Sequence, residues 1–268
     1  MITSKGEETA AAASGPEIVV SSLSVSFAAE HGEVHALDNV NMTVNNREFV
    51  CLMGPSGCGK TTVLNAVAGL LKPTSGRIEV GGRNVTGTGA DRAVVFQDDA
   101  VFPWMTVEEN IGFSTRVTGK SRDETRQIVD HYVELVGLQQ FRKAWPRELS
   151  GGMRKRVDLA RCFASDARVL LLDEPFGALD IMTKEYLQEE LIQIWLKEPR
   201  TILFVTHDIE EALFLGDRVF LMTQRPGRID EVYESEFPQP RDASIKTDGR
   251  FVELRREIRQ RMSLGGTR

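Results

Sequence analysis

Three short runs of the chain, Glu48 to Met53, Val169 to Leu172 and Thr201 to Val205, are apolar almost without interruption. Runs of that length predict central parallel strands covered on both faces. Ile18 to Phe27 alternates in part and reads as a further strand, Ala36 to Val44 as another, and Val94 to Phe96 as a brief one. After Met53 the period changes. Leu64, Val67, Ala68 and Leu71 fall at helical spacing and predict a helix running through Leu70. From Thr106 to Arg142 the pattern is helical and more polar, which suggests an inserted helical lobe. Near the end, Phe251, Leu254, Ile258 and Met262 share one helical stripe, as expected of a C-terminal helix packed on the body. Strands that alternate with helices point to a parallel α/β core.

Composition narrows the class. A chain of 268 residues suits one large α/β domain, or one domain with a subdomain inserted into it. With 41% hydrophobic and 27% charged residues, it can fill a sizeable core without disulfides or metals. The formal net charge of -6 speaks against a surface that coats nucleic acid, though not against a local basic patch. No apolar run approaches the roughly 20 residues needed to cross a bilayer. Residues 1–16, rich in Ala, Ser, Thr and Glu, are expected to form a disordered tail and do not read as a secretory signal. Cys51, Cys58 and Cys162 lack metal-ligand spacing and fit a reducing compartment.

The chemistry begins at Gly54-Pro55-Ser56-Gly57-Cys58-Gly59-Lys60-Thr61, with Thr62 next, between a predicted strand and a predicted helix. Glycines there let backbone N–H groups turn inward around phosphate oxygens. Lys60 can place its charge on the β and γ phosphates, Thr61 can offer a hydroxyl to Mg²⁺, and the helix that follows adds its positive end. A chance match is the alternative, and the flanking strand and helix argue against it. Cys58, beside Lys60 and a helix N-terminus, is expected to favour the thiolate, whereas Cys51 and Cys162 are expected to be inert core thiols.

At Val169 to Pro175 an apolar strand ends in Asp173 and Glu174. Ligands of open parallel sheets bind at the carboxyl ends of strands, so both acids would face the nucleotide, unless the turn is merely solvated. Asp173 would ligate Mg²⁺, directly or through water, and Glu174 would polarise an attacking water. Gln97 and His207 follow two further predicted strands. Singly, each is more often a surface or capping residue; together they offer an amide for Mg²⁺ or the lytic water and an imidazole for the γ phosphate. Leu149-Ser150-Gly151-Gly152-Met153 precedes a helical run and forms a second anion-binding helix N-terminus. A plain N-cap by Ser150 explains the same pattern, and both readings can hold together.

The order of these motifs, with Ala178-Leu179-Asp180 between them, resembles that of the ABC ATPases from Ile18 to Met222. The resemblance implies a P-loop core with a mixed, mainly parallel sheet, an N-terminal antiparallel β subdomain and an inserted helical subdomain at about 98–165. The ATPase domain would span 17–241 and a C-terminal helical extension 242–268. It also implies ATP and Mg²⁺, with Glu174, His207, Lys60 and Gln97 catalytic and Thr61, Gln97 and Asp173 on the metal. Phe27 would stack on adenine, although Tyr is commoner there and Ala28 to Val34 is longer than in many relatives. Ser150, Gly151, Gly152 and Met153 would reach the ATP of a second, identical subunit, with Asp180 in the D-loop. Membrane permease subunits and an extracytoplasmic solute-binding protein follow from the same resemblance, at the cytoplasmic face and without nucleic acid.

Finer likeness, in Phe102 to Val107, Met153, Phe176 to Asp180, Arg225 to Ile229 and Phe251 to Arg255, is to importers of nitrate, sulfonates, taurine and related small anions. Lys155 and Asp158 depart from it, since Gln and a small residue are usual there. Val101, Phe102, Trp104 and Met105 form an apolar patch that is either core of the helical lobe or a groove for a permease helix. A soluble ABC ATPase of translation or DNA repair is the alternative function, but there is one cassette and no long coiled coil.

Overall fold

The computed structural model describes residues 15–29, 32–98, 100–177 and 179–265, so most of the expected tail, and Ala178, lie outside the described residues. The chain opens with β1 (Pro16–Ala29), β2 (Gly32–Asn45) and β3 (Phe49–Met53), followed by α1 (Lys60–Ala68). Next come β4 (Ser75–Val80), β5 (Arg83–Asn84) and β6 (Arg92–Val95). Four helices follow: α2 (Val107–Ile111), α3 (Phe113–Val117), α4 (Arg122–Leu135) and α5 (Gly151–Phe163). The second half runs β7 (Val169–Asp173), α6 (Ile181–Lys197), β8 (Thr201–Thr206), α7 (Ile209–Leu215), β9 (Arg218–Met222), β10 (Ile229–Glu234) and α8 (Gly249–Gly265).

Two sheets result. The six-stranded one has the order β10-β9-β3-β8-β7-β6, and the four-stranded one β2-β1-β4-β5. In the larger sheet β9, β3, β8, β7 and β6 are parallel, and β10 alone runs antiparallel to its neighbour. The smaller sheet is antiparallel throughout. Every residue of β3, β7 and β8 is buried. Because side chains alternate along a strand, Phe49, Cys51, Met53, Leu170, Leu172, Ile202 and Phe204 enter one core. Val50, Leu52, Val169, Leu171, Leu203 and Val205 enter the other. The first core joins the sheet to α2, α4 to α8 and their connections; the second joins it to α1 and the antiparallel sheet. The unbroken apolar runs are therefore a consequence of two-sided burial.

Helix boundaries follow local chemistry. Thr106 with Glu109, and Ser121 with Glu124, form reciprocal capping boxes that start α2 and α4. Ser150, Asp180 and Asp208 cap α5, α6 and α7 with side-chain oxygens. The first helix ends at Ala68, two residues before the expected Leu70, because Gly69 adopts the left-handed conformation and turns the chain away. Pro16 already pairs with Asn45, so ordered strand begins inside the stretch expected as tail. No helix among the described residues is long and apolar enough to cross a membrane.

The stripe on α8 packs as its spacing predicts: Phe251, Leu254 and Ile258 are buried, and Met262 lies against the same core. The rings of Phe251 and Phe237 approach to 5.8 Å. Replacing Phe251 with Ala should lower the unfolding free energy by about 3–5 kcal/mol. Urea denaturation followed by circular dichroism would show this as a lower midpoint; an unshifted midpoint would mean that α8 is not part of the cooperative fold.

Candidate functional site

Parallel strands end on one edge of the sheet, and the predicted chemistry collects there. The P-loop follows β3, Gln97 lies just beyond β6, Asp173 closes β7, and His207 follows β8. At that edge a cavity of about 410 Å³ is lined by Phe27, Ser56, Gly57, Gly59, Lys60, Thr61, Thr62, Gln97 and Glu174, together with Val34, Ala36 and Arg225. The loop has room for nothing bulkier at Gly59: its φ is 105°, and a β-carbon would stand 2.6 Å from Leu37 Cδ2.

Lys60 is only 5% exposed, and its Nζ donates to the carbonyls of Gly54 at 2.9 Å and Pro55 at 3.2 Å. The ammonium also lies 3.8 Å from Glu174 Oε1. The other oxygen of Glu174 is 2.9 Å from His207 Nδ1. Glu174 has a φ of 41°, an uncommon conformation for a side-chain-bearing residue, and its N–H donates to Val205 O at 3.0 Å. A sharp turn after β7 thus aims this carboxylate between Lys60 and His207. Strain of this kind recurs at functional sites because the surrounding structure must hold it.

Thr61 Oγ1 donates to Asp173 Oδ1 at 3.1 Å. Burial pushes the Asp173 carboxyl above its ordinary range; the Thr61 hydrogen bond opposes this, and neighbouring Glu174 adds to it. A divalent cation would reverse that shift. A hydroxyl and a carboxylate this close, with Gln97 lining the same cavity as Thr61, are hard oxygen donors that suit Mg²⁺, which takes few protein ligands when phosphates supply others.

A network buried at Gln188, Thr206 and Glu211 holds the His207 turn. Lys184 Nζ donates to Asp208 at 2.7 Å and lies 3.3 Å from Glu211, while the Gln188 amide donates to Glu211 at 3.0 Å and the Thr206 hydroxyl donates to the same carboxylate. Asp208 in turn accepts from the N–H groups of Glu210 and Glu211.

The remaining predicted residues are placed elsewhere. Ser150 is exposed at the start of α5 and accepts from Met153 N at 3.3 Å. None of Ser150, Gly151, Gly152 or Met153 lines the cavity. A β-carbon on Gly152 would stand 2.8 Å from Thr183 Cγ2, so the turn lies tight against α6. Asp180 caps that helix by accepting from Thr183 N at 3.1 Å.

In the patch after Gln97, Phe102 stacks on Trp104 at 5.5 Å and meets Phe113 at 4.7 Å. Buried Asn110 holds this turn: it accepts from Phe102 N and donates to the carbonyls of Phe102, Met105 and Thr106. Trp104 nevertheless remains 66% exposed, so it is not core of the lobe.

Arg225 was not among the predicted site residues. The turn between β9 and β10 docks on β2 through Gly227 N to Ala36 O at 2.9 Å, which carries Arg225 Nε to Gly57 O at 2.8 Å. Its only signal in the sequence was membership of the Arg225 to Ile229 run, which gave no role.

A profile described as "ABC transporter" matches residues 37–177. The chain is 48% identical to a nitrate import ATP-binding protein of Synechocystis sp. over 238 residues, covering 87% of this chain and 90% of that protein. It is 49% identical to a taurine import ATP-binding protein of Rhizobium johnstonii over 242 residues, covering 88% and 92%. Among solved structures, an ATP-binding cassette captured as a dimer in a post-hydrolysis state with ADP and Pi superposes with a TM-score of 0.73. That cassette shares 28% identity and covers 82% of this chain and 100% of its own.

The thiolate expected at Cys58 is overturned. Cys58 is 1% exposed, and burial pushes its thiol up by more than Lys60 and the loop N–H groups pull it down. Cys51 and Cys162 are buried as expected, with Cys162 pushed up to about 12 by burial. With the pKa of Cys58 raised, its thiolate fraction at pH 7 lies below that of a free cysteine. Labelling of the native chain by a maleimide at pH 7 should therefore be at least ~10-fold slower at Cys58 than in denaturant, as read by mass spectrometry; equal rates would refute this burial.

Proposed function

The chain belongs to the ABC transporter family, and on that footing we propose that it is the ATP-hydrolysing subunit of an importer for a small anion such as nitrate, taurine, another sulfonate or bicarbonate. The likeness to nitrate and taurine import proteins along most of the chain supports the substrate class. The observation that carries the mechanism is the meeting of Lys60, Thr61, Glu174 and Gln97 on one cavity, while Ser150 to Met153 stand outside it. A signature turn that misses its own chain's nucleotide fits a head-to-tail dimer, in which each subunit's Ser150, Gly151 and Gly152 donate to the γ phosphate held by the other, with Met153 beside them and Asp180 at the shared D-loop.

In this reading the adenine stacks on Phe27, which is 43% exposed beside Val34. N–H groups from Gly54 to Thr62, including those of Ser56 and Cys58, wrap the phosphates, and Lys60 exchanges its two carbonyl acceptors for phosphate oxygens. Thr61, Asp173 and Gln97 would hold Mg²⁺, which when bound neutralises charge on the β and γ phosphates. Glu174 draws a proton from the attacking water as its oxygen bonds to the γ phosphorus and the bond to the β-phosphate oxygen breaks. His207 keeps Glu174 oriented through their 2.9 Å contact and offers its other nitrogen to the departing phosphate. Phosphate release reopens the dimer.

We assign residues 17–241 to the ATPase domain, about 98–165 to its helical subdomain and 242–268 to an extension. The exposed Trp104, fixed by the Asn110 bonds and Phe102, would anchor a short permease helix. The permease would hold the subunit at the cytoplasmic face of the membrane, with a solute-binding protein delivering the anion outside.

Glu174→Gln should bind ATP and form a nucleotide-dependent dimer, while turnover falls by roughly 10²–10³-fold. Equilibrium ATP binding, light scattering and phosphate release would check this. Wild-type turnover would remove Glu174 from its role, and a strictly monomeric ATP-loaded variant, alone and with its permease, would defeat the dimer. A second substitution addresses coupling: in reconstituted membranes with the co-purified permease, Trp104→Asp should abolish permease-stimulated hydrolysis and leave basal ATPase activity at the wild-type level. Full stimulation in that variant would exclude the docking role.

A further inference from the structure

The helix α5 begins at the turn assigned to the partner's nucleotide, and five residues beyond Ser150, about 7.5 Å along the axis, lies Lys155. This side chain is 4% exposed, a depth at which an ammonium is tolerated only when richly hydrogen-bonded. Its Nζ donates to two consecutive carbonyls of another segment, Phe96 O at 3.1 Å and Gln97 O at 3.3 Å. Further along α5, Arg161 donates to Ala100 O at 2.6 Å, pairs with buried Asp158 at 2.8 Å and lies 4.8 Å over the Phe102 ring. Lys155 and Asp158 are the two positions at which the sequence departs from its resembling group. Both belong to one set of charged side chains on α5 that secures Phe96, Gln97, Ala100 and Phe102.

We propose that Lys155 is a positioning residue for Gln97. The ammonium fixes the Gln97 backbone so that its amide stays directed at the nucleotide cavity, and it ties that backbone to the helix whose first turn meets the partner's γ phosphate. Displacement of α5 on dimer closure is thereby carried to Gln97 and, through Arg161 and Phe102, to the Trp104 surface. The inference rests on the role proposed for Gln97 and extends it to a residue outside the cavity.

The test is a double-mutant cycle on the full-length chain: wild type, Gln97→Ala, Lys155→Met and the double variant, with kcat, KM for ATP and half-saturating Mg²⁺ each measured. Lys155→Met should lower kcat by about 10-fold and raise the Mg²⁺ requirement while KM changes by less than about 2-fold, and the double variant should be no slower than Gln97→Ala alone. Lys155→Gln, which keeps an N–H donor, should recover part of the loss. It replaces Lys155→Met in the cycle should the latter lose its cooperative melting transition. Independent, multiplying losses would overturn the positioning role and leave that of Gln97 intact, as would wild-type kinetics in Lys155→Met. Wild-type kinetics in Gln97→Ala would overturn both.

Discussion

Everything at the nucleotide edge depends on the register of four parallel strands. The pairs Met53 with Thr206, Asp173 with Val205 and Val95 with Leu172 bring the ends of β3, β8, β7 and β6 to one level. A slip of one residue in any strand would turn its side chains to the opposite face and displace the turn that follows it from this edge. Two-sided burial prevents the slip, because each of β3, β7 and β8 would have to exchange the contents of two cores at once. The chemistry is thus held by apolar residues that never touch nucleotide.

Charge balance at that edge is equally constrained. Lys60 is buried against Glu174, and Glu174 is shared with His207, so the carboxylate lies between two nitrogen groups before any phosphate arrives. In the proposed mechanism a triphosphate would compete for the same cation, and its binding would release Glu174 toward the attacking water. Asp173 stands apart in this arrangement. Buried and bonded to Thr61, it lies where the removal of water disfavours its charge, and a divalent cation restores the ionised form. The two adjacent acids therefore meet different surroundings because one ends inside the sheet and the other begins the turn.

The strands that build this edge were legible because parallel burial leaves uninterrupted apolar runs, and the P-loop, Asp173, Glu174, Gln97 and His207 were legible because each sits at the end of such a run. The α8 stripe was readable for the same reason, since Phe251, Leu254 and Ile258 repeat with a helical period. What the pattern did not reveal depends on contacts far apart in the chain. Arg225 reaches the P-loop only because a distant turn docks on β2, and no periodicity encodes that. Cys58 was misjudged because neighbours in sequence, Lys60 and a helix start, suggested charge, whereas the packing of Gly54 and Met222 around the loop decided burial. Trp104 was ambiguous since an aromatic run reads the same way in a core and on a docking face; the Asn110 hydrogen bonds, which fasten the turn while leaving the indole outside, exclude the core reading.

The placement of α5 would let one helix serve two nucleotides in the proposed dimer. Its first turn exposes Ser150 and Gly151, where an N-terminus with its partial positive charge favours an anion, while its side chains at Lys155 and Arg161 face inward and grip carbonyls of the segment that carries Gln97. A helix is stiff along its axis, so these contacts cannot move independently over the roughly three turns from Ser150 to Arg161. If a phosphate on a second subunit draws the first turn toward it, the carbonyls of Phe96 and Gln97 must follow or the buried ammonium gives up its bonds to both. That alternative is costly for a group so far removed from water. In the proposed dimer the direction of coupling would follow from this packing: contact with the partner's nucleotide would be felt at this subunit's own Gln97 first, and at the exposed indole of Trp104 through Phe102 after it.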